Sequence, residues 1–186
     1  MKKTAVLFLL LIFASSVRPG EPQTSSEDRA FNAADRKFII ENIGGIWEIE
    51  KRVFADGTEL KPPQVRGYLV ISASYWTQTE AQVVEAGGIK PFAGSFFGAT
   101  DLSGTRSIEK VFLTIRTALV DGKETVKADT AESEQRTRLI LEKDAVVQQF
   151  DGGGEVRMGS DRFSQKRGNL YTTYWKRIVK PEDMYK

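Results

Sequence analysis

Gly45-Ile46-Trp47-Glu48-Ile49-Glu50-Lys51-Arg52-Val53-Phe54 reads as a strand with side chains alternating between two faces. Taken strictly with period two, Trp47, Ile49, Lys51 and Val53 share one face, and Glu48, Glu50, Arg52 and Phe54 the other. Its counterpart near the end of the chain is Tyr174-Trp175-Lys176-Arg177. A tryptophan early on the first strand and an arginine on the last meet only if the sheet curls round on itself. The guanidinium then stacks on the indole, a cation–π contact of about 0.5–2 kcal/mol. That contact closes the floor of an antiparallel barrel.

Between these ends the chain is punctuated as hairpins. Residues 64–72, 75–84, 108–120, 123–130, 136–142, 145–150, 155–165 and 170–178 read as further strands. Asp56-Gly57, Ala73-Ser74, Asp121-Gly122, Lys143-Asp144, Gly168-Asn169 and the polar run 151–154 supply the turns, with a break at Pro62-Pro63. The predicted fold is all-β, an eight- to nine-stranded antiparallel up-and-down barrel or a meander sandwich, with a short N-terminal helix. In that helix Phe31, Ala34, Phe38 and Ile39 share a face, Ser25 or Ser26 caps the start and Gly44-Gly45 ends it. It either plugs one end of the barrel or lies elsewhere on the core. Residues 85–105 break the regularity with Gly87, Gly88, Gly94, Gly98 and Gly104 among Phe92, Phe96 and Phe97. This stretch reads as a long loop, either a lid over one end of the barrel or a cover on its outside.

The first residues read as a targeting signal. Lys2 and Lys3 precede an apolar run over 5–14, and Ala14-Ser15-Ser16 offers small residues for cleavage after Ser16. The run is half of what spans a bilayer, so no permanent anchor is expected. Residues 17–26 read as a disordered leader and 27–186 as one domain. The expected location is outside the cytoplasm, periplasmic or secreted.

Composition removes several chemistries. The chain has neither histidine nor cysteine, which excludes Ser-His-Asp triads, Cys-His pairs, histidine-ligated zinc, disulfides and lipid attachment through cysteine. Its 27 basic and 25 acidic residues become 25 of each once Lys2 and Lys3 are removed, and the signs are interspersed. Nucleic acid is therefore not an expected partner. Gly152-Gly153-Gly154 lacks the Lys-Ser/Thr of a phosphate loop and reads as a hairpin tip. The pairs Glu48/Glu50 and Glu132/Glu134 each share a strand face and read as solvated exterior.

The chain resembles the lipocalin-like families of the calycin group. The residues that carry the resemblance are Gly45-Ile46-Trp47, Asp56-Gly57-Thr58, Pro62-Pro63, Gly67-Tyr68-Leu69-Val70-Ile71 and Tyr174-Trp175-Lys176-Arg177. The likeness extends over 43–178. It implies a barrel whose floor is Gly45, Trp47 and Arg177, and an interior able to take one small molecule. Fold alone does not decide among carriers, inhibitors and enzymes.

With Trp47 directed at the floor, alternation sends Ile49, Lys51 and Val53 inward from the first strand, and Tyr171, Thr173 and Trp175 inward from the last. The candidate ligand-binding residues there are Lys51, Tyr171 and Thr173, with Lys51 either meeting a ligand carboxylate or reaching water at the rim. Tyr68, Trp76, Gln78 and Arg116 join them from the middle strands, and Phe92, Phe96 and Phe97 from the glycine-rich stretch. The same side chains also serve to fill a small barrel as core. No catalytic residue, metal or cofactor is assigned. The expected function is a monomeric, non-enzymatic protein holding a small hydrophobic or amphipathic molecule. Two alternatives remain: a barrel enzyme of cyclase, isomerase or lyase type, and an envelope or secreted interaction module with a filled barrel.

Overall fold

The computed structural model describes residues 29–104, 106–120, 123–150, 155–184 and 186. The targeting signal, the leader, Ser25 and Ser26, and the turns at Asp121-Gly122 and 151–154 lie outside the described residues. One helix, α1 (Ala33–Ile43), precedes twelve strands: β1 (Gly45–Phe54), β2 (Glu59–Leu60), β3 (Val65–Ile71), β4 (Tyr75–Gln82), β5 (Phe92–Asp101), β6 (Ser107–Val120), β7 (Lys123–Asp129), β8 (Ser133–Leu141), β9 (Ala145–Phe150), β10 (Glu155–Gly159), β11 (Arg162–Arg167) and β12 (Tyr171–Val179). No described helix is long and apolar enough to cross a membrane.

The sheet is antiparallel and closes. Around the ring the order is β1, β3, β4, β5, β6, β8, β9, β10, β11 and β12, and β12 returns to pair with β1. Ten strands therefore form the barrel, while β2 flanks β1 and β7 pairs only with β6. The expected count of eight or nine is corrected at three places. Residues 155–165 turn at Ser160-Asp161 into two strands, β10 and β11. The short β2 lies beside Arg52 and Val53 of β1. The third place is β5, where sequence suggested loop.

The physical reason for β5 lies in its glycines. An added Cβ at Gly98 would come within 2.7 Å of Trp76 Cε2 and Cζ2, so the glycine admits the indole instead of marking a turn. Gly67 on β3 does the same for Ile49, whose Cδ1 would lie 2.7 Å from an added Cβ. Only the front of the expected loop is a connection. Ala86 and Ile89 bridge to each other there, and Val84, Ala86 and Ile89 pack on the cluster holding Phe54, Leu60 and Val65. Residues 83–91 thus cover the end of the barrel where β1 finishes.

The opposite end is the floor. Trp47 and Trp175 are fully buried, Phe163 meets Trp47 edge-on at 4.9 Å and stacks on Trp175 at 5.7 Å. Arg177 lies over the Trp47 ring at 4.5 Å. The closed barrel and this contact are what the resemblance to lipocalin-like families implies. Helix α1 docks here. Asn32 caps it in a reciprocal box with Asp35, and Phe31 and Ile39 pack on Leu102, Leu139 and Val146. The last carbonyls of a helix lack partners within it. Trp47 Nε1 donates to Ile43 O at 2.9 Å, Arg177 Nη1 donates to Glu41 O at 3.0 Å, and Arg177 Nη2 donates to Asn42 O. Burial holds the Arg177 guanidinium below its ordinary pKa, but it remains a cation at the negative end of the helix. Arg177→Ala is expected to lower stability by about 2–3 kcal/mol through lost stacking and orphaned carbonyls. Arg177→Lys, which cannot fork between two carbonyls, should recover less than half of that in thermal denaturation.

Candidate functional site

The inner wall depends on one irregularity in β1. Ile49 faces Trp175 and Lys51 faces Tyr174, leaving Glu50 as an extra residue. A bulge of this kind inverts side-chain parity beyond it. Glu50 and Lys51 both turn outward: Glu50 accepts from Arg162 at 3.2 Å, and Lys51 pairs with Glu59 at 2.8 Å beside the Tyr174 ring. Arg52 and Phe54 then point in. The strict alternation that sent Lys51 and Val53 inward is corrected here. The signal was present in the sequence, since Phe54 lies an odd number of residues beyond Ile49.

Arg52 is fully buried. Its Nε donates to Thr173 Oγ1 at 3.2 Å, Nη1 to Gln82 Oε1 at 3.0 Å and Nη2 to Glu80 Oε2 at 2.5 Å. The Tyr171 ring lies 4.2 Å from the guanidinium carbon and the Phe92 ring 5.5 Å. Gln82 completes the network by donating through Nε2 to Val84 O and Ile89 O, which ties it to the covering segment. Burial pushes the Tyr171 hydroxyl above its ordinary pKa, so it stays protonated at neutral pH. The cation is neutralised by Glu80 and flanked on several sides. It therefore braces the upper barrel and holds Thr173 and Tyr171 in place.

Beside and below this network the inner wall of β4, β5 and β6 is differently equipped. Gln78 faces Phe96 across β4 and β5, and Trp76 faces Gly98. Arg116 on β6 stacks on Phe96 at 5.6 Å. Gln78 is 8% exposed, yet its Nε2 has no hydrogen-bond partner among the described residues, and neither has Trp76 Nε1. A buried donor without an acceptor costs about 1–3 kcal/mol. Two of them on successive inward positions of one strand form a place where an acceptor is missing. Further along the wall the Glu109 carboxyl accepts from Gln148 Nε2, and burial raises its pKa.

Of the sequence candidates, Trp76, Gln78, Phe92, Phe96, Arg116, Tyr171 and Thr173 come together on the inner face. Lys51, Tyr68 and Phe97 do not. Tyr68 is exposed and its hydroxyl donates to Glu48 at 3.4 Å, while Phe97 stacks on exposed Tyr75 at 6.0 Å outside the barrel. Arg52, Glu80, Gln82, Glu109 and Gln148 escaped the sequence reading. A charged or amide side chain at an inward position looks the same in sequence as one on the solvent face. Outside, a groove of about 300 Å³ runs over Thr79, Ala81 and Ser95 between Tyr68 and Ile115.

No protein-family model matches the chain, and no curated protein matches it. Among solved structures it is similar to a lipocalin-like protein from Bacteroides uniformis, at 12% identity, over 74% of this chain and 99% of that one, with a TM-score of 0.28.

Proposed function

We propose that this chain is an exported, non-enzymatic binding protein that holds a small amphipathic molecule against the inner wall of β4, β5 and β6. The observation that carries the reading is the pair of buried, unpartnered donors, Gln78 Nε2 and Trp76 Nε1, beside the Phe96 ring. An apolar body on Phe96 and Phe92 contributes by burial, roughly 25 cal/mol per Å², and an acceptor on the same molecule meets the donors. Arg116, exposed and stacked on Phe96, suits a polar tail directed to water. Export is supported by the basic start and the apolar run 5–14.

The test is native mass spectrometry of the protein purified gently from its own host, then extraction of what it carries. A stoichiometric mass excess is expected on the wild type and at least a tenfold lower occupancy on Gln78→Leu. The same substitution should leave stability unchanged or raise it by about 1 kcal/mol, because it removes a desolvated amide that has no partner. A bare wild-type chain, or full occupancy in Gln78→Leu, would overturn the reading.

A second reading, an interaction module acting through its outer surface, is favoured by the stacked and exposed Tyr75 and Phe97. Serine at both positions separates the two readings: it should spare the bound mass if the interior is the site.

A further inference from the structure

The lower part of the inner wall carries polar groups that the Arg52 network does not use. Gln148 on β9 donates through Nε2 to Glu109 on β6 and, at 3.2 Å, to Thr137 Oγ1 on β8. Strand β8 lies between β6 and β9, so the three side chains share one face of the wall, and the full burial of Thr137 makes it the concave one. Thr137 is fully buried, and Ser107, opposite it on β6, is almost so. Two strands the other way, the Trp76 indole lies over Gly98 with Cε2, the carbon bonded to Nε1, at the close approach. Gly98 pairs with Val111, which shares the inner face of β6 with Glu109. The unpartnered donors of β4 and the carboxyl of β6 thus occupy neighbouring strips of one wall.

What surrounds Glu109 fixes its chemistry. Strand β8 presents Gln135 and Thr137, β9 presents Gln148, β5 presents Gly98 and Thr100, and β4 presents Trp76. None of these titrates, and the charged inward side chains Arg52, Glu80 and Arg116 belong to the other part of the wall. Burial raises the carboxyl's pKa, and the Gln148 hydrogen bond opposes it. Whenever it is protonated, which burial favours, this carboxyl has an O–H to donate. The wall then offers three kinds of donor, the Gln78 amide, the Trp76 indole and the Glu109 hydroxyl, with no cation among them. Their complement is an uncharged group that only accepts.

We propose that Glu109, set by Gln148 and Thr137 on the strip next to Trp76, anchors a carbonyl oxygen of the bound molecule, which is a ketone, ester or amide. This rests on the reading of the interior as a binding site. The probes are 2-acetylnaphthalene and 2-ethylnaphthalene, matched in shape and uncharged at every pH, with binding followed by quenching of tryptophan fluorescence. The wild type should bind the ketone at least tenfold more tightly than the hydrocarbon at pH 5.5. That preference should fall at least fivefold by pH 9, because ionised Glu109 repels the carbonyl it had donated to. Glu109→Gln, which keeps a donor at all pH values, should hold a preference that no longer varies with pH, and Glu109→Leu should lose most of it. If both probes bind but the wild type shows no preference or a pH-independent one, the Glu109 site is overturned and the binding interior stands. If neither probe binds the wild type at any pH, the interior reading falls and takes this one with it.

Discussion

Arg52→Ala is expected to destabilise the protein by about 3–5 kcal/mol, lowering the thermal midpoint by about 10 °C, whereas Lys51→Ala next to it should leave the midpoint nearly where it was. The contrast follows from the bulge. Lys51 sits outside, and its partner Glu59 keeps a second cation, Lys61, at 2.8 Å. Arg52 is inside with three hydrogen-bonded partners. Its removal strands the Glu80 carboxylate, whose side chain is 7% exposed, without a counter-ion. The loss arises mainly from that uncompensated charge, so removing both charges together, Arg52→Met with Glu80→Met, should recover most of it. Circular dichroism melts of the three variants against the wild type decide the matter. Equal effects at positions 51 and 52 would mean that the parity of β1 is not inverted.

Trp47→Ala should cost about 3–5 kcal/mol, the range for deleting a large buried aromatic. The indole is fully enclosed, with Phe163 on its edge and Arg177 on its face. Its N–H also holds the Ile43 carbonyl at the end of α1. The damage should therefore spread into the helix, where hydrogen-exchange protection ought to fall more than in β4 or β5. Trp47→Phe keeps a ring for Phe163 and Arg177 and loses mainly the N–H contact, about 1 kcal/mol. If the alanine and phenylalanine variants unfold at the same midpoint, the ring contacts do not hold the floor together.

The floor was legible because its signal is chemical and sits at the two ends of the sheet. Trp47 and Arg177 needed only the assumption that the sheet closes. The upper wall was not legible from alternation, because one unpaired residue, Glu50, exchanges the faces of everything after it in β1. Period two carries no warning of a bulge except a break in parity, here the interval from Ile49 to Phe54. Strand β5 was hidden for another reason. Glycine signals both a turn and the close approach of a neighbouring ring, and only the position of Trp76 over Gly98 separates the two. The inward candidates on β4 were recognised as residue types without a register. The pairing of Gln78 with Phe96, and of Phe96 with Thr114, supplied it.

Strand β6 changes partner partway along. Ser107–Val111 pairs with Ser133–Thr137 of β8, while Thr114–Val120 pairs with β7, which has no second neighbour among the described strands. The hoop is thus stitched to β8 over one segment only; over the next, β6 stays bonded to β5 and carries β7 on its other edge. On the proposed reading, this unstitched stretch between β7 and β8 is a side door to the interior, separate from the Arg52 brace and the 83–91 cover. On that reading, admission would depend on the β7 edge and recognition on the wall of β4, β5 and β6, so each could change without the other.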